Sequence, residues 1–267
     1  YDILNLMLAR PEGIILVTGP TGSGKTTTLY SVLSHMNDES VNIMTLEDPV
    51  EYPIARIRQT SISDGSKIDF SDGVRSLMRQ DPDIILVGEV RDKDTAEMAF
   101  RAAMTGHQVF STLHTNSALR SFQRIKDLGV SPEVMAGNII GIVAQRLIRR
   151  LCRHCRESVE VVHGGIEARL MGDQALGRTV YRHHPGGCEA CDYQGYKGRL
   201  AIMELLRVDS AMDELITRNA TQGELAAHAL TNGFQPIAED GLRRVLEGVT
   251  SIEEVGRVVD LTVRLAG

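Results

Sequence analysis

The chain has 267 residues, 42% hydrophobic and 24% charged, which is a globular composition with enough length for one large core or two smaller ones. A formal net charge of −6 runs against a general binder of nucleic acid or anionic membrane, which carries a basic surplus, and leaves room only for local basic patches. Tryptophan is absent and aromatics make up 4%, so the core is built from aliphatic side chains.

The chain opens Tyr1-Asp2-Ile3-Leu4, without a methionine or a signal peptide and already inside a helical pattern; this reads as a fragment lacking an upstream domain. Residues 14–18 form a short β-branched run, a buried strand. A glycine-rich turn at 19–24 follows, then a helix from Lys25 to about Met36 and a second strand at 41–46. A helix is expected over 70–80, capped by Ser71 or Asp72. After the Asp81-Pro82-Asp83 turn come a strand at 84–88, a helix at 94–105 and a strand at 108–113. Strands alternating with helices imply a parallel sheet covered on both faces.

Beyond about residue 117 the pattern changes: 117–128, 132–149, 209–218, 221–231 and 238–247 all read as helix. The most apolar stretch, Ile139 to Ile148, is interrupted by Gln145 and Arg146 and falls short of the roughly 20 residues of a membrane-spanning helix. These patterns divide the chain into an α/β nucleotide-binding core at 1–150, an irregular cysteine-bounded insert at 151–207 and a helical C-terminal part at 208–267.

Gly19-Pro20-Thr21-Gly22-Ser23-Gly24-Lys25-Thr26 satisfies G-x-x-x-x-G-K-[ST] between a strand and a helix, the context that marks a P-loop. Its backbone N–H groups can form an anion nest at a helix N-terminus. Lys25 then reaches the β- and γ-phosphates of ATP, and the Thr26 hydroxyl takes one position on Mg²⁺. The strand at 84–88 delivers Glu89 beside the phosphates, where it orients or deprotonates the attacking water or holds Mg²⁺ through water; the plainer alternative is a strand-end pair with Arg91. Glu47, Asp48 and Glu51 end the second strand, either on the ligand crevice or as a solvated acidic turn. His107 and His114 bracket the 108–113 strand and fit either a γ-phosphate contact or a structural role. Arg75 and Arg79, one helical turn apart, could reach a phosphate in the same subunit or across an interface.

All four cysteines lie in Cys-x-x-Cys pairs, Cys152/Cys155 and Cys188/Cys191, separated by 32 residues. Two such knuckles complete a closed four-cysteine zinc site, and a closed site is structural. His154 and His163 lie near enough in sequence to serve as reserve ligands. Arg146, Arg149, Arg150, Arg153 and Arg156 form a basic cluster beside the first knuckle, read as a solvated or interface face.

In this order the motifs resemble the secretion ATPase superfamily, and more narrowly the hexameric traffic ATPases of type II secretion and type IV pilus assembly. The resemblance rests on GPTGSGKT, LEDPVE, ILVGEVRD and GHQVFSTLHTN, with RQDPD, the four-cysteine insert and GYKGRLAIMELL in support. It implies a RecA-like α/β P-loop NTPase, ATP hydrolysis, a homo-hexamer, and an inner-membrane platform partner at the cytoplasmic face, with no nucleic acid. It further implies that Glu89 is the catalytic carboxylate and that Glu47 and Glu51 lie near Mg²⁺ and water. His107 and His114 become histidine-box residues, and Arg75 and Arg79 supply charge at the nucleotide or subunit interface. Asp72 stands where some relatives carry a further arginine. A retraction motor is a close rival, although such motors of this family generally lack the cysteines. A zinc-containing DNA translocase conflicts with the acidic balance, and a non-hydrolysing regulator conflicts with the intact Lys25, Thr26 and Glu89.

Overall fold

The structure, a computed structural model, describes residues 2–62 and 69–265. In chain order its first elements are α1 (Asp2–Leu8), β1 (Gly13–Thr18), α2 (Lys25–Met36), β2 (Ile43–Glu47), β3 (Arg58–Ser61), α3 (Phe70–Leu77), β4 (Ile84–Val87), α4 (Lys93–Met104) and β5 (Gln108–Leu113). Then come α5 (Ala118–Asp127), α6 (Pro132–Met135), β6 (Ile139–Leu151), β7 (Glu157–Glu160), α7 (Ile166–Met171), β8 (Thr179–Arg182) and β9 (Tyr196–Arg207). The chain closes with α8 (Ser210–Thr217), α9 (Gln222–Thr231), α10 (Ile237–Leu246), α11 (Ile252–Val258) and α12 (Thr262–Leu265). Among the described residues no helix is long and apolar enough to cross a membrane.

The chain divides into two compact units. One holds the residues up to Ala144 together with Leu205–Phe234; the other holds Gln145–Glu204 and everything from Gln235 onward. Boundaries at 150 and 207 sort the chain by element type, whereas contacts sort it by which segments share a core. Residues 205–234, with α8 and α9, accordingly group with the nucleotide-binding segment, while α10 and α11 group with the cysteine-bearing segment.

In the first unit the sheet order is β3-β2-β4-β5-β1-β6-β9, and the pairs β3/β2, β2/β4, β4/β5, β5/β1 and β1/β6 are all parallel. β6 and β9 run on from this unit into the second. Parallel strands need cover on both faces, which explains why β1, β2, β4 and β5 are buried along their whole length. The aliphatic core runs through Ile14, Leu16, Ile85, Val87, Val109 and Ile142, each at most 1% exposed.

Three local expectations are corrected. Residues 132–149 do not form one helix: a single turn, α6, gives way to the 13-residue strand β6. The β-branched residues Ile139, Ile140, Ile142 and Val143 lose little entropy in an extended backbone and pack beside β1, and all are 0–3% exposed. α3 is capped by Asp69 rather than Ser71 or Asp72, its carboxylate accepting the Asp72 N–H at 2.8 Å, and that bond holds the Asp69 carboxyl below its ordinary value. The segment expected to be irregular, 151–207, contains an antiparallel β7/β8 hairpin registered Glu157↔Arg182 to Glu160↔Thr179, and the 12-residue β9. Exposed polar side chains on these strands hid them from an apolar-run reading.

The second unit packs Val161, Leu170, Val180, Leu242, Val245 and Val255 into its own core. Beside it lies the buried carboxylate of Glu254, 1% exposed. Arg149 donates to it from its backbone N–H at 2.8 Å, from Nε at 2.9 Å and from Nη2 at 2.7 Å, and Arg257 donates at 3.0 and 2.7 Å. The Arg149 guanidinium also lies 4.1 Å over the Tyr196 ring, and that of Arg156 lies 3.9 Å over Tyr181. Burial lowers the pKa of Arg146, and the charge of Glu204 works against that. Arg146, Arg149 and Arg156 are thus engaged within this unit, although Arg149, like Arg150 and Arg153, remains exposed. Burial alone would push the Glu254 carboxyl up, but the hydrogen bonds from Arg257 and Arg149 outweigh it and bring it down to about 2. Its stabilising contribution is complete above its ordinary value of 4.5 and fades as the pH falls toward about 2. Glu254→Ala is expected to destabilise the second unit by about 1.5–3 kcal/mol, the usual worth of hydrogen bonds to a charged group, because the two arginines left behind are half-exposed and can be hydrated. Thermal unfolding followed from pH 7 to pH 3 checks both points, because the variant's loss relative to the parent should shrink as the pH falls.

Candidate functional site

The C-terminal ends of β1, β2, β4 and β5 open onto one cleft of about 150 Å³. Lys25 and Thr26 line it from the start of α2, Glu47, Asp48 and Glu51 from the end of β2, Glu89 from the end of β4, and Thr112 and His114 from β5. A parallel sheet makes this convergence unavoidable, since the strand ends with unused backbone groups all point the same way.

The loop after β1 turns into α2 at Gly24, whose φ of +88° lies in the left-handed region that a side chain would strain. Lys25 Nζ folds back to donate to Gly19 O at 2.8 Å and Pro20 O at 3.3 Å, holding the loop closed around the place an anion would occupy. Behind it the Thr18 hydroxyl lies 2.8 Å from the Thr115 hydroxyl and accepts the Thr115 N–H at 2.8 Å, which ties β1 to the segment carrying His114.

Glu47 and Glu89 line the same cleft from neighbouring strand ends, which pack closely at the glycine between β4 and Glu89: a Cβ on Gly88 would lie 3.2 Å from Glu47 Cα. Glu47, 4% exposed, receives the Tyr30 hydroxyl on Oε2, and the Thr45 hydroxyl at 2.6 Å and Gln59 Nε2 at 3.4 Å on Oε1. Glu89 is paired with Arg91 through one oxygen, and His114 Nε2 lies 3.3 Å from the other. Arg91 also stands 3.7 Å from Asp48, and its bond to Glu89 holds the guanidinium pKa above its ordinary value. The Thr26 hydroxyl and these carboxylates are hard oxygen donors, so the residues present fit a magnesium ion carried in with a nucleotide.

Other candidates lie elsewhere. His107 precedes β5 and so sits at the opposite edge of the sheet, roughly 20 Å along the strand from His114. Its Nδ1 lies 3.0 Å from Ala102 O. Arg75 is exposed on α3, paired with Asp72 at 2.9 Å, beside a separate hollow lined by Asp94, Glu97 and Arg101. Asp72 thus neutralises one of the two arginines. α3 ends at Leu77, which leaves Arg79 exposed in the following turn instead of on a shared helical face. The residues that sequence reasoning missed are Tyr30, Thr45, Gln59 and Thr112. Tyr30 stands four residues after Thr26 on α2, a spacing that would have placed it on the same face; nothing in the sequence marks Gln59.

In the second unit the thiols of Cys152, Cys155, Cys188 and Cys191 all lie within 4.8 Å of one another. The Cys152–Cys188, Cys188–Cys191 and Cys155–Cys191 separations are 3.8, 3.8 and 3.9 Å. Those lengths are far beyond a disulfide, and they match the edge of about 3.8 Å of a tetrahedron whose metal–sulfur bonds are about 2.3 Å. Burial pushes the Cys155 thiol up to about 12, and the neighbouring thiols add to the effect. Burial acts the same way on Cys191, but the N–H groups of Cys188 and Gly195, each 3.2 Å from its sulfur, bring it down to about 6. The four thiols are compatible with one metal ion, and neither His154 nor His163 joins the cluster.

A strand, glycine loop and helix with acidic strand tips beside them define a P-loop nucleotide-binding fold of the RecA-like kind. A family model described as Type II/IV secretion system protein matches residues 1–257, and the chain belongs to that family. It is 48% identical over 251 residues to the type IV pilus assembly ATPase TfpB of Acinetobacter baylyi, covering 94% of this chain and 43% of that protein. It is 47% identical over 255 residues to the type II secretion system protein E of Dickeya dadantii, covering 96% and 50%. The chain thus spans about half the length of the curated relatives it matches. Among solved structures it resembles the pilus retraction motor PilT with bound ADP, with a TM-score of 0.72 and 30% identity over 97% of this chain and 65% of that one. The Legionella pneumophila ATPase DotB, at 23% identity and a TM-score of 0.69, shares the fold.

Proposed function

We propose that this chain is the ATP-hydrolysing part of a cytoplasmic, homo-hexameric motor for type IV pilus assembly or type II secretion, working on a platform protein of the inner membrane. The observation that carries the reading is the single cleft where Lys25 and Thr26 face Glu47 and Glu89. Lys25 leaves its loop carbonyls for the β- and γ-phosphates. Thr26 and, through water, Glu47 would hold a Mg²⁺ carried in with the nucleotide, which would supply positive charge to offset that of the phosphates, with Glu51 at the rim. Glu89 gives up its pair with Arg91 to orient and deprotonate the attacking water. We assign His114 rather than His107 to the γ-phosphate end, since only His114 lines the cleft. Exposed on and just after α3, Arg75 and Arg79 fit a subunit contact better than a phosphate of the same chain. The four thiols take Zn²⁺ as a structural ion. Assembly and secretion are favoured over retraction because the curated relatives at 47–48% identity carry those names, against 30% for the retraction motor.

Lys25→Ala is expected to abolish nucleotide binding or turnover, measured as ADP affinity and phosphate release; parental ATPase rates in the variant would remove the P-loop assignment. Glu89→Gln should retain ATP affinity and lose about 10²–10⁴-fold in kcat, the usual worth of a positioned base. A variant that loses Mg·ATP affinity together with turnover would make Glu89 a metal-holding group.

Metal analysis of the purified, reduced chain is expected to give one Zn²⁺ per subunit, and Cys152→Ser with Cys155→Ser should lose it. The doubly substituted protein should melt lower while its soluble fraction still binds nucleotide. Four freely titratable thiols and no zinc in the parent would sink the assignment.

A further inference from the structure

A buried polar group in the nucleotide-binding unit that the proposed chemistry leaves unused is the Tyr30 hydroxyl. Tyr30 is 1% exposed, and its ring meets Tyr52 edge-on at 4.7 Å. Its oxygen donates to Glu47 Oε2 and accepts the backbone N–H of Glu51 at 3.2 Å. Thr45 and Gln59 occupy Glu47 Oε1. Among the described contacts Tyr30 is therefore the donor that sets the direction of Oε2.

We infer that Tyr30 is a positioning residue for the magnesium site: its hydroxyl aims Glu47 into the cleft and locks the 47–51 loop to the helix that carries Lys25 and Thr26. This rests on the nucleotide-binding reading above and extends it. The helical spacing supports it, because Tyr30 lies one turn beyond Thr26 on α2. Any movement of the helix N-terminus toward bound phosphates carries the hydroxyl with it, and with the hydroxyl go both Glu47 and the Glu51 N–H. Three neutral donors on a carboxylate that is 4% exposed also give it one orientation, which a metal-bound water requires of its acceptor.

The test separates metal from nucleotide. ADP affinity of the 267-residue chain is measured by calorimetry in EDTA and again with excess Mg²⁺. Tyr30→Phe keeps the ring and the Thr45 and Gln59 bonds. It is expected to leave the metal-free affinity within about twofold while cutting the magnesium-dependent gain about tenfold or more, the usual cost of losing an outer-shell partner. The Mg²⁺ concentration for half-maximal ATP turnover should rise in parallel, with kcat falling more than KM. In a Glu47→Gln background the same substitution should add nothing. Thr45→Val, which removes the donor to the other oxygen, should reproduce the magnesium-specific loss. An unchanged magnesium gain in folded Tyr30→Phe overturns the inference, as does an equal loss in EDTA and in Mg²⁺, which would mark a merely structural residue. A parent chain that binds Mg·ADP without hydrolysing ATP removes the ATPase reading and leaves the Tyr30 result standing; a parent that binds no ADP removes both.

Discussion

A parallel sheet cannot use its strand ends internally, and much of this molecule's chemistry follows from that. Along their length β1, β2, β4 and β5 are buried on both faces and are largely apolar, with Thr45, Gln108, Ser111 and Thr112 each hydrogen-bonded where they interrupt the pattern. Polar side chains that face one another can therefore accumulate only where the strands stop. The ends of β2 and β4 pack closely at Gly88, and two carboxylates share a cleft there. The lysine that would meet phosphate is held ready by carbonyl groups of its own loop. Little reorganisation is needed to exchange those carbonyls for a ligand's oxygens, which is how a preformed anion site keeps its affinity.

The second unit uses charge differently. In the nucleotide-binding unit acidic groups line an open cleft; here Glu254 is sealed beneath two arginines and serves the fold. Arg149 commits its guanidinium to that carboxylate and to the Tyr196 ring, and Arg156 donates to Gly248 O while covering Tyr181. The run of arginines read as a solvated or interface face is thus in part engaged within the unit, through Arg146, Arg149 and Arg156. Aromatics are few in this chain, and two of its six tyrosines stack under these cations.

The parts legible in the sequence were those whose physics is local. A P-loop is legible because strand, glycines, lysine and helix are contiguous, and the four cysteines because ligand spacing within each knuckle is fixed by the ion's size. The parallel strands β1, β4 and β5 read as short apolar runs for the reason given above. What stayed hidden depended on partners distant in sequence. β6 looked helical because the apolar run Ile139–Ala144 suits a buried helix as well as a buried strand, and only its place beside β1 makes it a strand. Arg75 and Arg79 share a helical face only if the helix continues, and it stops at Leu77. His107 and His114 look equivalent on either side of β5, but only the C-terminal end of a parallel strand meets the cleft. Tyr30 and Gln59 carry no motif, and their role appears only when α2, β2 and β3 come together around Glu47.

The two cysteine knuckles sit where the chain leaves β6 and just before it enters β9. An ion on those thiols would pin both ends of the intervening excursion. Loop-closure entropy grows only logarithmically, and doubling such a loop costs about 0.6 kcal/mol. That small cost applies to the exposed turns of residues 156–187, since Val161, Leu170 and Val180 of the same stretch are packed into the second unit's core and cannot be exchanged freely.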